Sequence, residues 1–109
     1  MQSIRPPSWL FSRGVPEVRY SDRALASITA QDDWLRPLNP SAADRVLAEV
    51  ERTCRLIAAF PGIGRRIEGT SLRVHVTRRY GYRVIYRHVG DIVEIKALLH
   101  PRQDAPSDP

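Results

Sequence analysis

The side chains best suited to chemistry in this 109-residue chain are three histidines and a set of arginines. Arg73, Arg83 and Arg87 fall in stretches where apolar and polar residues alternate, and His100 closes the last such stretch, followed by Pro101 and Arg102. A histidine that moves a proton, beside arginines that stabilise charge on a phosphorane-like state, is the working set of a nuclease. Arg73, Arg83 and His100 are the candidates for that role. The same residues have a plainer use, which spacing alone favours. His100 can make a structural hydrogen bond at a strand end, and Arg73 can pair with Glu68 or Glu94. Tyr82 and Tyr86 share one strand face, offset from Arg83 and Arg87. Aromatics beside arginines can stack on bases, yet tyrosines at period two more commonly pack within a sheet.

No other residues form a chemical constellation. His75, His88 and His100 lack the spacing of a zinc motif, and Cys54 is the single cysteine. No metal and no cofactor is therefore expected. Cys54 sits on the apolar side of a helical pattern and reads as a buried thiol. Gly62-Ile63-Gly64 follows a helix rather than a strand and has neither dinucleotide-type nor P-loop spacing. These glycines are expected to supply a tight turn.

Charge is unevenly placed. The chain carries a net +5, and residues 61–102 alone carry eight Arg and one Lys against three acids. Arginine offers carboxylates and phosphates a planar fork that lysine lacks, so the second half suits an acidic partner, whether nucleic acid or protein. No apolar run approaches the ~20 residues that span a bilayer. Arg5 is followed by Pro6, Pro7 and Ser8 rather than an apolar stretch, which argues against a secretory signal. A cytoplasmic protein without membrane contact is expected.

The elements that must position these side chains can be read from pattern. Val18 and Tyr20 alternate with Glu17 and Arg19, predicting a short strand. Ser21 is suited to cap a helix, with Asp22 in its first turn. That helix should run from about Asp22 to Trp34, with Ala24, Leu25, Ile28 and Leu35 on one face. Asn39 then caps a longer helix with Pro40 at its first position. Val46, Leu47, Val50, Cys54, Ile57 and Ala58 make its apolar stripe, with Arg45, Glu49, Glu51, Arg52 and Arg55 mainly on the other side. Pro61 ends it at Phe60. Three strands follow, from Leu72 to Val76, Tyr82 to Val89 and Ile92 to Leu99, with Gly90-Asp91 as a two-residue hairpin. Val93, Ile95, Ala97 and Leu99 should form one continuous apolar face. The order β-α-α-β-β-β implies an α+β fold. The last three strands pair antiparallel, and a helical hairpin packs on one face of a small antiparallel sheet. Residues 1–14, with Pro6, Pro7 and Gly14, read as an irregular extension that packs on the surface through Trp9, Leu10 and Phe11, and Trp34, like Trp9, is expected to be a packing residue. Residues 15–103 form the domain, and residues 104–109 a polar tail.

Several ordered pieces carry a resemblance. They are Ala42-Ala43-Asp44-Arg45 opening the long helix, Phe60-Pro61-Gly62-Ile63-Gly64-Arg65 after it, and the Leu72-Arg73 pair. Tyr82-Arg83-Val84-Ile85-Tyr86-Arg87, Val93-Glu94-Ile95 and Leu99-His100-Pro101-Arg102 complete the set. Together with Tyr20-Ser21, Ala24 and Ile28, they resemble the ParE branch of the RelE/ParE toxins over about residues 15–103, with residues 1–14 upstream of the usual family start.

The resemblance implies the toxin of a type II toxin–antitoxin pair, neutralised by a cognate ParD-like antitoxin whose C-terminal segment wraps it. It would reach operator DNA only through that antitoxin. RNA-cutting relatives use a basic and acid–base cluster to which Arg73, Arg83 and His100 are approximate matches, with Lys96 the single lysine. ParE-like members generally lack that cluster and are associated with poisoning DNA gyrase. The leading expectation is thus a toxin that binds gyrase without catalysis of its own. The alternatives are a ribosome-dependent mRNA endonuclease and an inactive toxin serving as corepressor. Arg73, Arg83, Arg87, His100 and Arg102 are the expected partner-binding residues, meeting acidic segments of the antitoxin.

Overall fold

The computed structural model describes residues 16–102, and the expectations for residues 1–14, Trp9 and the tail 104–109 lie outside them. Strand β1 (Glu17–Tyr20) leads into helix α1 (Asp22–Leu35), and helix α2 (Pro40–Ala59) follows after a tight link. A single turn of 3-10 helix (Pro61–Ile63) opens the second half. Strands β2 (Arg65–Arg66), β3 (Arg73–Val76), β4 (Arg83–Val89) and β5 (Ile92–Leu99) then complete one sheet of order β1-β5-β4-β3-β2. The last three strands are antiparallel, as expected. Strand β1 joins β5 in parallel, so the sheet as a whole is mixed, and the two-residue β2 adds a short edge.

Local chemistry explains the helices. Ser21 Oγ accepts from the Ala24 N–H and caps α1, with Asp22 in its first turn. Asn39 accepts from the Ala42 N–H and caps α2, with Pro40 where a missing N–H costs nothing. Arg36 fastens the hairpin by bonding Asp32 of α1 and Asp44 of α2. Gly90 takes a φ of 59° at the first loop position of the β4–β5 hairpin, which only glycine adopts readily.

The main core lies between the hairpin and the sheet. Ala24, Val46, Val50, Cys54 and Ile57 meet Tyr82, Val84, Tyr86, Val93, Ile95 and Leu98 there, with Val18, Tyr20, Ile28 and Leu35 at its margin. Burial pushes the Cys54 thiol up and, with a hydrogen bond to that thiol, the Tyr20 phenol as well. Leu25 does not join this core: it is 52% exposed, because Ala24 takes the sheet-facing position and the next residue turns away by about 100°. Trp34 is exposed too, with its ring set edge-to-face against His100. Glu49, expected on the solvent side of α2, is buried. Its carboxylate accepts the backbone N–H groups of Arg79 and Tyr80 and anchors the β3–β4 turn.

A bulge corrects the expectation for β5. Ile85 pairs with Ala97 while Tyr86 pairs with Ile95, so Lys96 is an extra residue. Val93, Ile95 and Leu98 therefore face the helices, whereas Ala97 and Leu99 face the opposite side. The expected continuous stripe is divided between two faces.

Beyond Ile95, β1 no longer covers the outer edge of β5, and α1 takes over. Ser21 Oγ donates to the Lys96 carbonyl, and Ser27 Oγ accepts from the Leu98 N–H at 2.9 Å. Across the sheet, the Tyr86 hydroxyl donates to the Pro61 carbonyl and accepts from the Gly64 N–H at 2.9 Å. Gly64 is needed for this approach, since a Cβ there would sit 2.6 Å from that hydroxyl. Two outcomes follow. Ser27→Ala leaves the Leu98 N–H unpaired and costs about 1–2 kcal/mol. Gly64→Ala overpacks a site that cannot relax and costs about 2–3 kcal/mol, read as a drop in thermal midpoint of about 10 °C. A Gly64→Ala protein as stable as the parent would show that the Tyr86 contact is dispensable.

Candidate functional site

Residues opposite one another in the ladder share a face of the sheet. Arg83 lies opposite Leu99, Ile85 opposite Ala97, and Arg87 opposite Glu94. These side chains all point away from the helices. Val74 and Val76 of β3 and Arg19 of β1 join them by the same rule. The helix-free face thus has an apolar centre of Val74, Ile85, Ala97 and Leu99, against which Ile67 and Leu72 pack. A groove of about 280 Å³ crosses it, lined by Ser21, Arg23, Leu72, Ile85, Lys96, Ala97 and Leu99.

Cations rim that centre. Arg87 binds Glu94 at 2.9 Å and Lys96 approaches the same oxygen at 3.5 Å. The Arg87 guanidinium, helped by Lys96, holds the Glu94 carboxyl below its usual range. One carboxylate therefore serves two cations. Arg83 donates weakly to the His100 carbonyl at 3.4 Å. Among the described residues, the Nε–H groups of Arg83 and Arg87 are buried without an acceptor, which leaves hydrogen-bonding capacity unspent on this face.

The other candidates lie elsewhere. Arg73 is opposite Tyr86 and so is turned to the helix side, where it donates to the Gly64 carbonyl at 2.7 Å. It pairs with neither Glu68 nor Glu94. The His100 ring lies edge-on to Tyr82 at 5.5 Å and to Trp34 at 6.3 Å, and its Nδ1 accepts from the Arg102 N–H. Arg102 is exposed beside it. Arg83 and Arg87 are thus brought together on one face with Glu94, while Arg73 and the His100 ring belong to the helix side. Tyr82 and Tyr86 are buried in the main core, which fits packing rather than base stacking. Burial raises both phenols, with the Gly64 N–H opposing the rise at Tyr86.

Sequence reasoning passed over Arg23, Lys96 and the groove itself. The signal was present: β4 is apolar at Val84, Ile85 and Tyr86 in succession, which places an apolar residue on each face. Among the described residues, no group of three His, Cys, Asp or Glu is placed to hold a metal ion, and no helix is long and apolar enough to cross a membrane.

Comparison with known proteins adds a family and a fold. Residues 18–105 match the family described as the ParE toxin of type II toxin–antitoxin system, parDE. A comparison with curated protein sequences finds no match. Among solved structures, the chromosomal ParDE TA system from P. aeruginosa aligns with a TM-score of 0.69 at 19% identity, over 79% of this chain and 96% of that one. The intact E. coli RelBE toxin–antitoxin complex aligns with a TM-score of 0.56 at 14% identity, over 81% and 99%. At these identities the likeness speaks for the fold.

The Arg87–Glu94–Lys96 cluster has a pH signature. Because the folded-state pKa of Glu94 is lowered, its contribution is fully present above the ordinary carboxylate pKa of about 4.3 and is lost as pH falls through the lowered value. The gap in thermal midpoint between the parent and Glu94→Gln should therefore hold steady above about pH 5 and shrink as pH falls below about 4. A gap independent of pH would mean that the pairing contributes nothing.

Proposed function

Because this chain belongs to the ParE toxin family of type II toxin–antitoxin systems, we propose that it slows growth by binding DNA gyrase. In this reading a cognate, ParD-like antitoxin neutralises it from the helix-free face of the sheet, in the cytoplasm. The observation that carries the antitoxin reading is that face itself, where an apolar groove has Arg23 and Lys96 in its lining and Arg83 and Arg87 stand on the same side of the sheet, with Glu94 shared between Arg87 and Lys96. An acidic, partly apolar antitoxin segment satisfies both the groove and its rim. Arg83 and Arg87 meet carboxylates, and Arg102, beyond the end of β5, extends the contact past His100. Arg73 serves indirectly, holding the Gly64 loop from the other side. Operator DNA is reached through the antitoxin.

Action by binding is supported by the dispersal of the nuclease candidates. Arg83 lies on one face, whereas Arg73 and the His100 ring lie on the other, each in a structural contact. A proton-transfer and charge-stabilising set needs convergence on one reacting phosphate.

Induction without antitoxin tests the target. Growth should stop with loss of gyrase-dependent supercoiling and intact transcripts. Codon-specific mRNA cleavage with normal supercoiling would establish the endonuclease instead, and unimpaired growth would point to a corepressor. Arg83→Glu should weaken antitoxin binding at least tenfold, and binding to the parent should fall steeply with added salt. Insensitivity to both would remove the antitoxin from this face.

A further inference from the structure

A second basic surface lies on the helix side of the sheet. Glu49, Arg52, Thr53 and Leu56 share one face of α2, with Arg52 and Thr53 three and four residues after Glu49 and Leu56 four and three after them, on the side that meets the β3–β4 turn. The buried Glu49 carboxylate takes the N–H groups of both Arg79 and Tyr80, so the turn cannot swing away. Arg78 and Arg79 are thereby held across from Arg52. Between them is a cleft of about 530 Å³ lined by Glu49, Arg52, Thr53, Leu56, Arg78 and Arg79.

Two properties of this cleft stand out. Its cations are unpaired: among the described residues, no carboxylate forms an ion pair with Arg52, Arg78 or Arg79. The one acid lining it, Glu49, is committed to backbone donors. Its wall is also apolar and open. Leu56, in that wall, is 41% exposed, and Phe60, beyond the cleft lining at the end of α2, is 61% exposed. Arginine beside exposed apolar side chains is the composition of a protein-contact centre. A nucleic-acid backbone would use the arginines, but it would leave the exposed Leu56 side chain without a partner. An amphipathic segment with carboxylates on one side and apolar side chains on the other satisfies both.

We propose that the cleft between α2 and the β3–β4 turn receives an acidic, amphipathic segment of the protein on which the toxin acts, and that the antitoxin face lies elsewhere. The inference rests on the toxin reading above and adds the surface through which toxicity is exerted. The cleft belongs to the helix side of the sheet, whereas the arginine-rimmed groove is on the opposite face, so the two can be changed separately.

The test combines Arg52→Glu with Arg78→Glu in the full chain, both side chains being exposed and, among the described residues, without an ion-pair partner. The double variant should keep its thermal midpoint and its antitoxin affinity within threefold, while colony survival after induction rises at least a hundredfold over the parent. Leu56→Ser should raise survival at least tenfold, since the apolar wall takes part. The lysine pair, Arg52→Lys with Arg78→Lys, should stay toxic. Retained toxicity of the charge-reversed protein would overturn the proposal, as would a parallel loss of antitoxin affinity. Binding of a 20-base-pair DNA duplex or a single-stranded RNA that falls with the double variant, but not with Leu56→Ser, would assign the cleft to nucleic acid and also overturn it. A purified gyrase supercoiling assay separates the two readings. If the parent slows growth but leaves supercoiling intact, gyrase is excluded while the cleft is still judged by survival. A parent chain that does not slow growth removes both.

Discussion

Strand β5 has one residue more than β4 can pair, and on its other side it outruns the short β1. Both facts are settled at Lys96. The bulge there turns Ala97 and Leu99 to the helix-free face and returns Leu98 to the core. Where β1 stops, the Ser21 and Ser27 hydroxyls take the Lys96 carbonyl and the Leu98 N–H. Unpaired backbone polar groups are costly when buried, so α1 must lie where those serines can reach them. The position of the first helix, the split of the last strand and the apolar centre of the open face are thus one arrangement.

The same arrangement separates the arginines by function. Those opposite core residues, such as Arg73, are turned to the helix side and hold loops. Those opposite Leu99 and Glu94 stand on the open face around an apolar groove. A third set stands on α2 and on the β3–β4 turn, whose backbone is held by the buried Glu49 carboxylate. Basic charge that looks uniform in composition therefore resolves into scaffold, one rimmed groove and one cleft. A single mixed sheet under a hairpin offers two sides, and the basic residues are divided between them.

Local signals carried well wherever the physics is local. Ser21, Asn39 and Pro40 marked the helix starts, Pro61 marked the end of α2, and Gly90-Asp91 marked the hairpin, because capping and turn geometry depend on neighbours in the chain. The stripe from Val46 to Ala58 likewise placed α2 on the sheet. Leu25 and Trp34 misled because apolarity permits burial but does not require it; each faces away from the sheet that α1 contacts.

The sequence by itself determined the order of the elements apart from the short edge strand β2, the caps, the hairpin over a sheet and the basic second half, since periodicity and charge are written residue by residue. Tertiary structure alone decided that β1 runs parallel to β5, that Lys96 is bulged, that Glu49 is buried, and that Arg73 and Arg83 occupy opposite faces. Each depends on which strand lies alongside which, and in what register. A shift of one residue moves every later side chain to the other side of a sheet. With apolar residues on both faces of β4, the sequence leaves that register open, and the contacts of Ser21, Ser27 and Tyr86 across the fold close it.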